Sequence, residues 1–381
     1  MDELKNKANL AVCGVFLLLV FGLTIASMVS PVKAFSESEN RYLAKKPKFS
    51  FESLFDGDYT ADYETFITDQ FVGRDTWIGI KTAMERAMLK QDINGVYFGK
   101  DGYLIEKHDE ADIDPEIAER NAERLAQFMQ DCVEAFGEGR AHAMIVPTAS
   151  EILEDKLPPF ATGYDQETYI EQIGALLPEQ CLVDVTQVLK NHSSEYIFYR
   201  TDHHWTATGA YYAYQEWAKA CGFLPLSNED FTVEVAADDF LGTIYSKVNT
   251  KVDPDEILLY QTGLPYSVIY NMDGKVKDTL YDREKLEIKD KYAVYLGGNN
   301  ALVQIDTEVD NGRKLLIVKD SYAHCFAPFA VNHFEQTYMV DFRYFNMPVS
   351  QFIEQYGITD VLVLYNAPNF AADTNTLLFT K

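Results

Sequence analysis

Lys314-Leu315-Leu316-Ile317-Val318-Lys319-Asp320-Ser321-Tyr322-Ala323 decides the fold. Four apolar residues in a row, with no polar alternation, suit a strand covered on both faces. Such a strand lies in a sheet with helices on either side. Helical periodicity follows it near 325–331, then a strand at 337–342, a helix at 349–356 and a strand at 360–365. Upstream, residues 114–136 have helical spacing, with Asp114 as N-cap, Pro115 at the first position and Gly137 at the end. Residues 142–147 form a short apolar strand, 166–177 a helix, and 181–185 and 196–200 two strands. Residues 206–221 form a helix closed by Gly222. This alternation predicts an α/β domain with a mostly parallel sheet and helices on both faces. Residues 225–300 break the rhythm with turn signals such as Asn271-Met272-Asp273-Gly274. They read as an insertion of hairpins lying over the sheet. Further out, 59–90 is an amphipathic helical pair, and 96–105 a hairpin turning on Lys100-Asp101-Gly102.

Residues 10–29 contain no charged side chain, and as a helix would span about 30 Å, the hydrocarbon thickness of a bilayer. Lys5 and Lys7 precede them, which favours a cytoplasmic N-terminus. A signal anchor would keep this helix. A signal peptide cut after Ala34 would lose it, although the run exceeds an ordinary h-region. Either way the remainder is expected outside the cytoplasm. Asp2 and Glu3 cancel Lys5 and Lys7, so the net charge of −26 belongs to that remainder. A field of this sign repels nucleic acid and anionic headgroups, and nucleic acid is not expected as a partner. Cys132, Cys181, Cys221 and Cys325 have no disulfide or zinc spacing and read as small buried hydrophobes.

Ser321 follows a buried strand and precedes a helix, the carboxyl-end position where α/β sheets carry reactive groups. Its N–H at a helix start favours developing negative charge. The plainer alternative is a serine that only caps the helix. A serine needs a base. Tyr199-Arg200-Thr201-Asp202-His203-His204-Trp205 offers one, because Asp-x-His lets the carboxylate hold one imidazole nitrogen while the other faces a serine. Asp202, His203, His204 and His324 also form a possible metal set. On extended backbone, however, the neighbouring His203 and His204 point to opposite sides, so neither metal nor cofactor is expected.

Asp202-His203-His204-Trp205 resembles the signature of the DHHW family of exported bacterial proteins, and is similar to the Asp-x-His-Trp motif of the SGNH-like alginate O-acetyltransferase proteins. Glu39-Asn40-Arg41, Asp69-Gln70-Phe71 with Arg74, the stretch from Gly95 to Gly102, Val146-Pro147 and Asp320-Ser321 stand in family order. The resemblance implies an SGNH-hydrolase-like, flavodoxin-type fold. Ser321 matches the nucleophile, His204 the base and Asp202 the orienting acid. His203 falls at the variable position, and Trp205 reads as packing. Lys319 departs from the usual glycine. Asn299 or Asn300, in Gly297-Gly298-Asn299-Asn300, resembles an oxyanion block or is an ordinary turn; Arg200, Tyr322 and Arg343 are further substrate-side expectations. The carbohydrate-binding module of some relatives is not expected.

The implied organisation is a cytoplasmic tail (1–9), a transmembrane anchor (10–29), a juxtamembrane linker (30–58) and one catalytic domain (59–381). The implied activity is O-acetylation of an extracytoplasmic polysaccharide, with a multi-spanning membrane acyltransferase as acetyl donor. A carbohydrate acetylesterase with the same three residues, and a non-catalytic glycan-binding or assembly protein, are the alternatives.

Overall fold

The computed structural model describes residues 2–36 and 41–380, in two compact units. Glu39 and Asn40 lie outside the described residues. One unit runs to Leu89 and includes Ser246–Thr250. It holds helix α1 (Asp2–Val29), of which Asn6–Val29 is long and apolar enough to cross a membrane. The expected helical pair follows as α2 (Asp58–Asp69) and α3 (Arg74–Ala87). Asp69 closes α2 and accepts from Arg41 Nη1 (3.0 Å), Arg41 Nη2 (2.5 Å) and Ala44 N (2.8 Å). Gln70 exchanges two hydrogen bonds with the Lys33 backbone. The chain after α1 is thereby pinned along α2.

The other unit comprises Lys90–Tyr245 and Lys251–Lys381. Its sheet has seven strands: β1 (Ala141–Val146), β2 (Tyr266–Tyr270), β3 (Val276–Lys277), β4 (Leu302–Thr307), β5 (Lys314–Lys319), β6 (Gln336–Val340) and β7 (Asp360–Asn366). The order across it is β3-β2-β4-β6-β5-β7-β1. The half around β5 is parallel, with Ile317 opposite both Met339 and Leu362. The pairs β3–β2, β2–β4 and β4–β6 are antiparallel. The sheet is therefore mixed, not mostly parallel. The difference lies in residues 266–307, which extend the sheet at one edge and do not lie over it. Only β2 and β3 are joined by a short turn, which makes them antiparallel, whereas β4 meets β2 and β6 antiparallel across longer connections. The rest of the expected insertion includes a separate pair, Thr232–Phe240 with Asp255–Gln261. The strands expected at 181–185 and 196–200 reduce to single bridges, Ala143 to Leu182 and Phe198 to Trp205.

Five helices of eight residues or more cover the two faces: α4 (Pro115–Phe136), α5 (Gln166–Leu176), α6 (Ala207–Ala220), α7 (Ala323–Ala330) and α8 (Val349–Tyr356). Leu315 and Ile317 point into a core with Tyr214 and Trp217 of α6 and Phe326 and Phe329 of α7. Leu316 and Val318 point the other way, toward Phe128 of α4, Ile173 of α5 and Phe352 of α8. Burial on both sides explains the unbroken apolar run of β5. Cys132, Cys181 and Cys325 are buried free thiols, as read, whereas Cys221 is a free thiol only partly buried.

Candidate active site

β5 sits inside the sheet and delivers Asp320 and Ser321 at its carboxyl end. Asp320 is buried, and its carboxylate accepts from Tyr322 N (2.8 Å), Asn366 N (3.0 Å), Asn366 Nδ2 (2.7 Å) and Asn369 Nδ2 (2.9 Å). Burial pushes its pKa up, and these donors oppose that shift. The turn carrying Ser321 is thus clamped to the end of β7.

The second half of the site is a narrow loop between Ile197 and Thr206. Thr206 N donates to Ile197 O (2.9 Å) and Tyr199 N to His204 O (3.2 Å). Inside it, His204 N donates to Asp202 Oδ1 (3.1 Å), the local turn that aspartate forms two residues on. That turn folds the imidazole back over the carboxylate. His204 Nδ1 lies 2.5 Å from Asp202 Oδ1, and His204 Nε2 lies 2.7 Å from Ser321 Oγ. Three side chains from two distant segments form one hydrogen-bonded relay.

The relay is enclosed. The Tyr292 ring stacks on His204 with centroids 3.8 Å apart, and its hydroxyl donates to Ser321 O (3.0 Å). Trp205 is fully buried and donates from Nε1 to Tyr322 O (2.9 Å), which bears out its reading as packing. Burial, and then the charge of His203, push His204 down to about 4. Its imidazole is neutral near pH 7 and can accept a proton. Burial alone would raise the pKa of Asp202, but His203, His204 and the Thr243 N–H together hold it well below the usual carboxylate range.

Thr243 donates to Asp202 Oδ2 from N (2.8 Å) and from Oγ1 (3.0 Å). This approach requires Gly242, where an added Cβ would stand 2.3 Å from Asp202 Cβ. Asp255 is fully buried and accepts from Tyr196 OH, Arg200 N, Thr201 N and Thr201 Oγ1, fastening the loop from below. Gly242, Thr243, Asp255 and Tyr292 all come from the stretch read as an insertion, and sequence reasoning missed them. Only the glycine carries a local signal. Asn366 was equally missed, although Asn366-Ala367-Pro368 has the pattern of a helix start.

The other expected residues have varied placements. Asn300 Nδ2 donates to Leu296 O (2.9 Å) and Gly298 O (3.2 Å), which closes its own turn. Asn299 is exposed, and its Oδ1 accepts from Arg343 Nη2 (3.3 Å). Arg343 is held by Asp341 through Nε (2.8 Å) and Nη2 (2.6 Å). Lys319 is buried, donating to Asp341 Oδ2 (3.2 Å) and standing 2.7 Å from His324 Nε2. Since Val318 is level with Val340, Ser321 and Arg343 leave the ends of adjacent parallel strands. Arg200 instead packs against the rings of Tyr103 and Tyr196. Tyr322 is fully buried and donates to His203 O (2.7 Å), which makes it part of the loop's packing.

His203 and His204 do not diverge as extended backbone would require. The chain bends there, their ring centroids are 3.9 Å apart, and ligand atoms of Asp202, His203 and His204 lie within 4.8 Å of one another. A metal would nevertheless have to displace the relay, because both ring nitrogens of His204 and both oxygens of Asp202 already have partners. His203 Nδ1 is 2.7 Å from Thr243 Oγ1. The Nε2 of His324 is taken by Lys319.

A family model described as DHHW protein matches residues 125–340. Among solved structures, a DHHW family protein from Eubacterium siraeum is 27% identical, with a TM-score of 0.62 over 76% of this chain and 96% of that one. PatB1 from Bacillus cereus, solved with a sulfonyl adduct, is 20% identical, with a TM-score of 0.62 over 76% of this chain and 98% of its own. The O-acetyltransferase domain of Pseudomonas putida AlgJ is 16% identical, with a TM-score of 0.45 over 73% and 93%. No curated protein matches the sequence.

Proposed function

We propose that this chain, which belongs to the DHHW family, is an extracytoplasmic O-acetyltransferase of SGNH-like fold that modifies a cell-surface or exported polysaccharide through an acetyl-Ser321 intermediate. The observation that carries this reading is the unbroken relay from Asp202 through His204 to Ser321 at the end of the central strand. Helix α1 anchors the chain, and a multi-spanning membrane acyltransferase supplies the acetyl group from the other side.

In the first half-reaction His204 Nε2 takes the Ser321 hydroxyl proton as Oγ attacks the acetyl carbonyl carbon. The tetrahedral oxyanion forms beside the Ser321 N–H. It collapses as the donor's leaving oxygen takes the proton from His204, which leaves acetyl on Oγ. In the second, a sugar hydroxyl gives its proton to His204 and attacks the ester carbonyl. Ser321 Oγ departs and recovers that proton. Asp202 holds the Nδ1–H tautomer and stabilises the transient imidazolium. The Tyr292 ring limits rotation of the imidazole, and Arg343 is the acceptor-side cation.

The test is intact mass spectrometry of the full-length protein after an activated acetyl ester, with peptide mapping. One acetyl group on Ser321, transferred to an added oligosaccharide and absent in Ser321→Ala, is expected. Acetate released to water with no sugar acetylated would make the protein an esterase. An unmodified Ser321 would remove the covalent reading altogether.

A further inference from the structure

Helix α3 is inverted for a helix facing water. Its inward side carries Thr82, fully buried, and Gly79, where a Cβ would meet Asn249 O at 2.9 Å. Its outward side carries Trp77, Ile80 and Met84, continued by Met88 at its C-cap, spaced three, four and four residues apart on one face. All four are exposed, Met84 to 64% and Met88 to 67%. Asp75 and Glu85 fall off this stripe, and Lys81 stands at its edge.

Two observations indicate what covers the stripe. The first is continuity with α1: Val72 N, at the corner leading into α3, donates to Ser27 Oγ in the last turn of α1 (3.4 Å). If α1 crosses a bilayer, that corner lies at its surface. The second is charge. Residues 41–51, pinned to the end of α2 through Arg41 and Asp69, include exposed Lys45, Lys46 and Lys48 and no acidic residue, in a chain of net charge −26. Exposed Phe49 and Phe51 close this stretch and exposed Phe55 lies beyond Glu52, with the Phe49 ring 5.3 Å from Tyr59. The overall field repels anionic headgroups, but screening confines it to about 8–10 Å, so nearby lysines govern contact. Aromatic side chains with flanking lysines are the composition of an interfacial segment.

We infer that α3 lies on the outer leaflet of the bilayer crossed by α1, with Trp77, Ile80, Met84 and Met88 at the headgroup–acyl boundary and Lys45, Lys46 and Lys48 on lipid phosphates. This rests on the membrane-anchored reading above. Its consequence is a second membrane attachment, which fixes this unit to the surface instead of leaving it on a tether.

Trp77 is a built-in probe, since Trp205 and Trp217 are fully buried. Full-length protein is reconstituted into phosphatidylcholine–phosphatidylglycerol vesicles with brominated acyl chains. Flotation reports α1 and fluorescence reports α3. Trp77 emission is expected to be quenched by bromine and shielded from aqueous iodide. Trp77→Phe should remove the quenchable component, and Met84→Glu/Met88→Glu should lose the quenching while flotation persists. Protein that floats with Trp77 open to iodide and insensitive to bromine overturns the inference alone. Shielding that rises with the protein-to-lipid ratio, without bromine quenching, assigns the face to a second copy and overturns it too. Protein that does not float removes the anchored reading and the inference together.

Discussion

Gly242→Ala tests whether the backbone around Asp202 sets the geometry of the relay. The added Cβ would stand 2.3 Å from Asp202 Cβ and 2.4 Å from Oδ2, whereas ordinary contact begins at 3.4 Å. The opposing atom is a short buried side chain bonded on both oxygens, so rotation does not relieve the clash. Either the 242–243 backbone or Asp202 must withdraw by about 1 Å, a displacement that typically costs ~10²-fold in rate when it disturbs reacting groups. The same shift lengthens both Thr243 donations to Oδ2. Hydrogen bonds to a charged, buried carboxylate contribute about 1.5–3 kcal/mol each, and overpacking adds strain, so the total destabilisation is about 3–5 kcal/mol. Thr243→Val is the graded control. It keeps the N–H donor, removes the hydroxyl, and should cost about 2 kcal/mol with a smaller rate loss. The assay is the acylation rate of Ser321 with an activated acetyl ester, beside a urea unfolding curve for each variant. Gly242→Ala acylating within about twofold of the parent at unchanged stability would refute the claim that this contact positions the relay.

Further outcomes follow from the same structure. Asp202→Asn should retain the fold and lower the Ser321 acylation rate by ~10⁴-fold, measured against Ser321→Ala as the zero point. Acylation should stay level on the acid side until His204 protonates near its depressed value of about 4, and a pH–rate profile checks this. Stability has a different window. His142, His204 and His333 are each lowered to about 4 from 6.5, so the unfolded chain binds more protons between those limits. Their contribution is complete above pH 6.5 and is lost as pH falls toward 4, at up to about 1.4 kcal/mol per pH unit for each histidine, readable as a falling urea midpoint. Lys319→Ala leaves buried Asp341 with one cation fewer and should destabilise by about 3–5 kcal/mol, with Lys319→Met milder because it refills the volume. Treatment with a chelator should leave acylation unchanged, and its loss would favour a metal held by Asp202 and His203.

Much of this protein is written locally. The apolar run of residues 315–318 implied a strand buried on both faces. The caps at Asp114 and Gly137 delimited α4, and the two-residue spacing of Asp202 and His204 contained the turn that joins them. These features depend on neighbours within a few residues, so periodicity and side-chain chemistry suffice. Long-range pairing does not. Whether β4 joins β6 antiparallel, which makes the sheet mixed, is decided by the edge it meets and not by its own residues. The carboxylate that fastens the start of the Asp202 loop is Asp255, 55 positions from Arg200, a contact that no local pattern announces. Nothing in Thr243 or Tyr292 marks them as partners of Asp202 and His204, and Gly242 signals a close approach without saying to what, because each acts only through a surface brought near by the tertiary fold. The sequence by itself determined which side chains have the chemistry for a relay. Tertiary packing decided their distances and the residues that hold them, since angstrom-scale hydrogen-bond geometry depends on every element around the site.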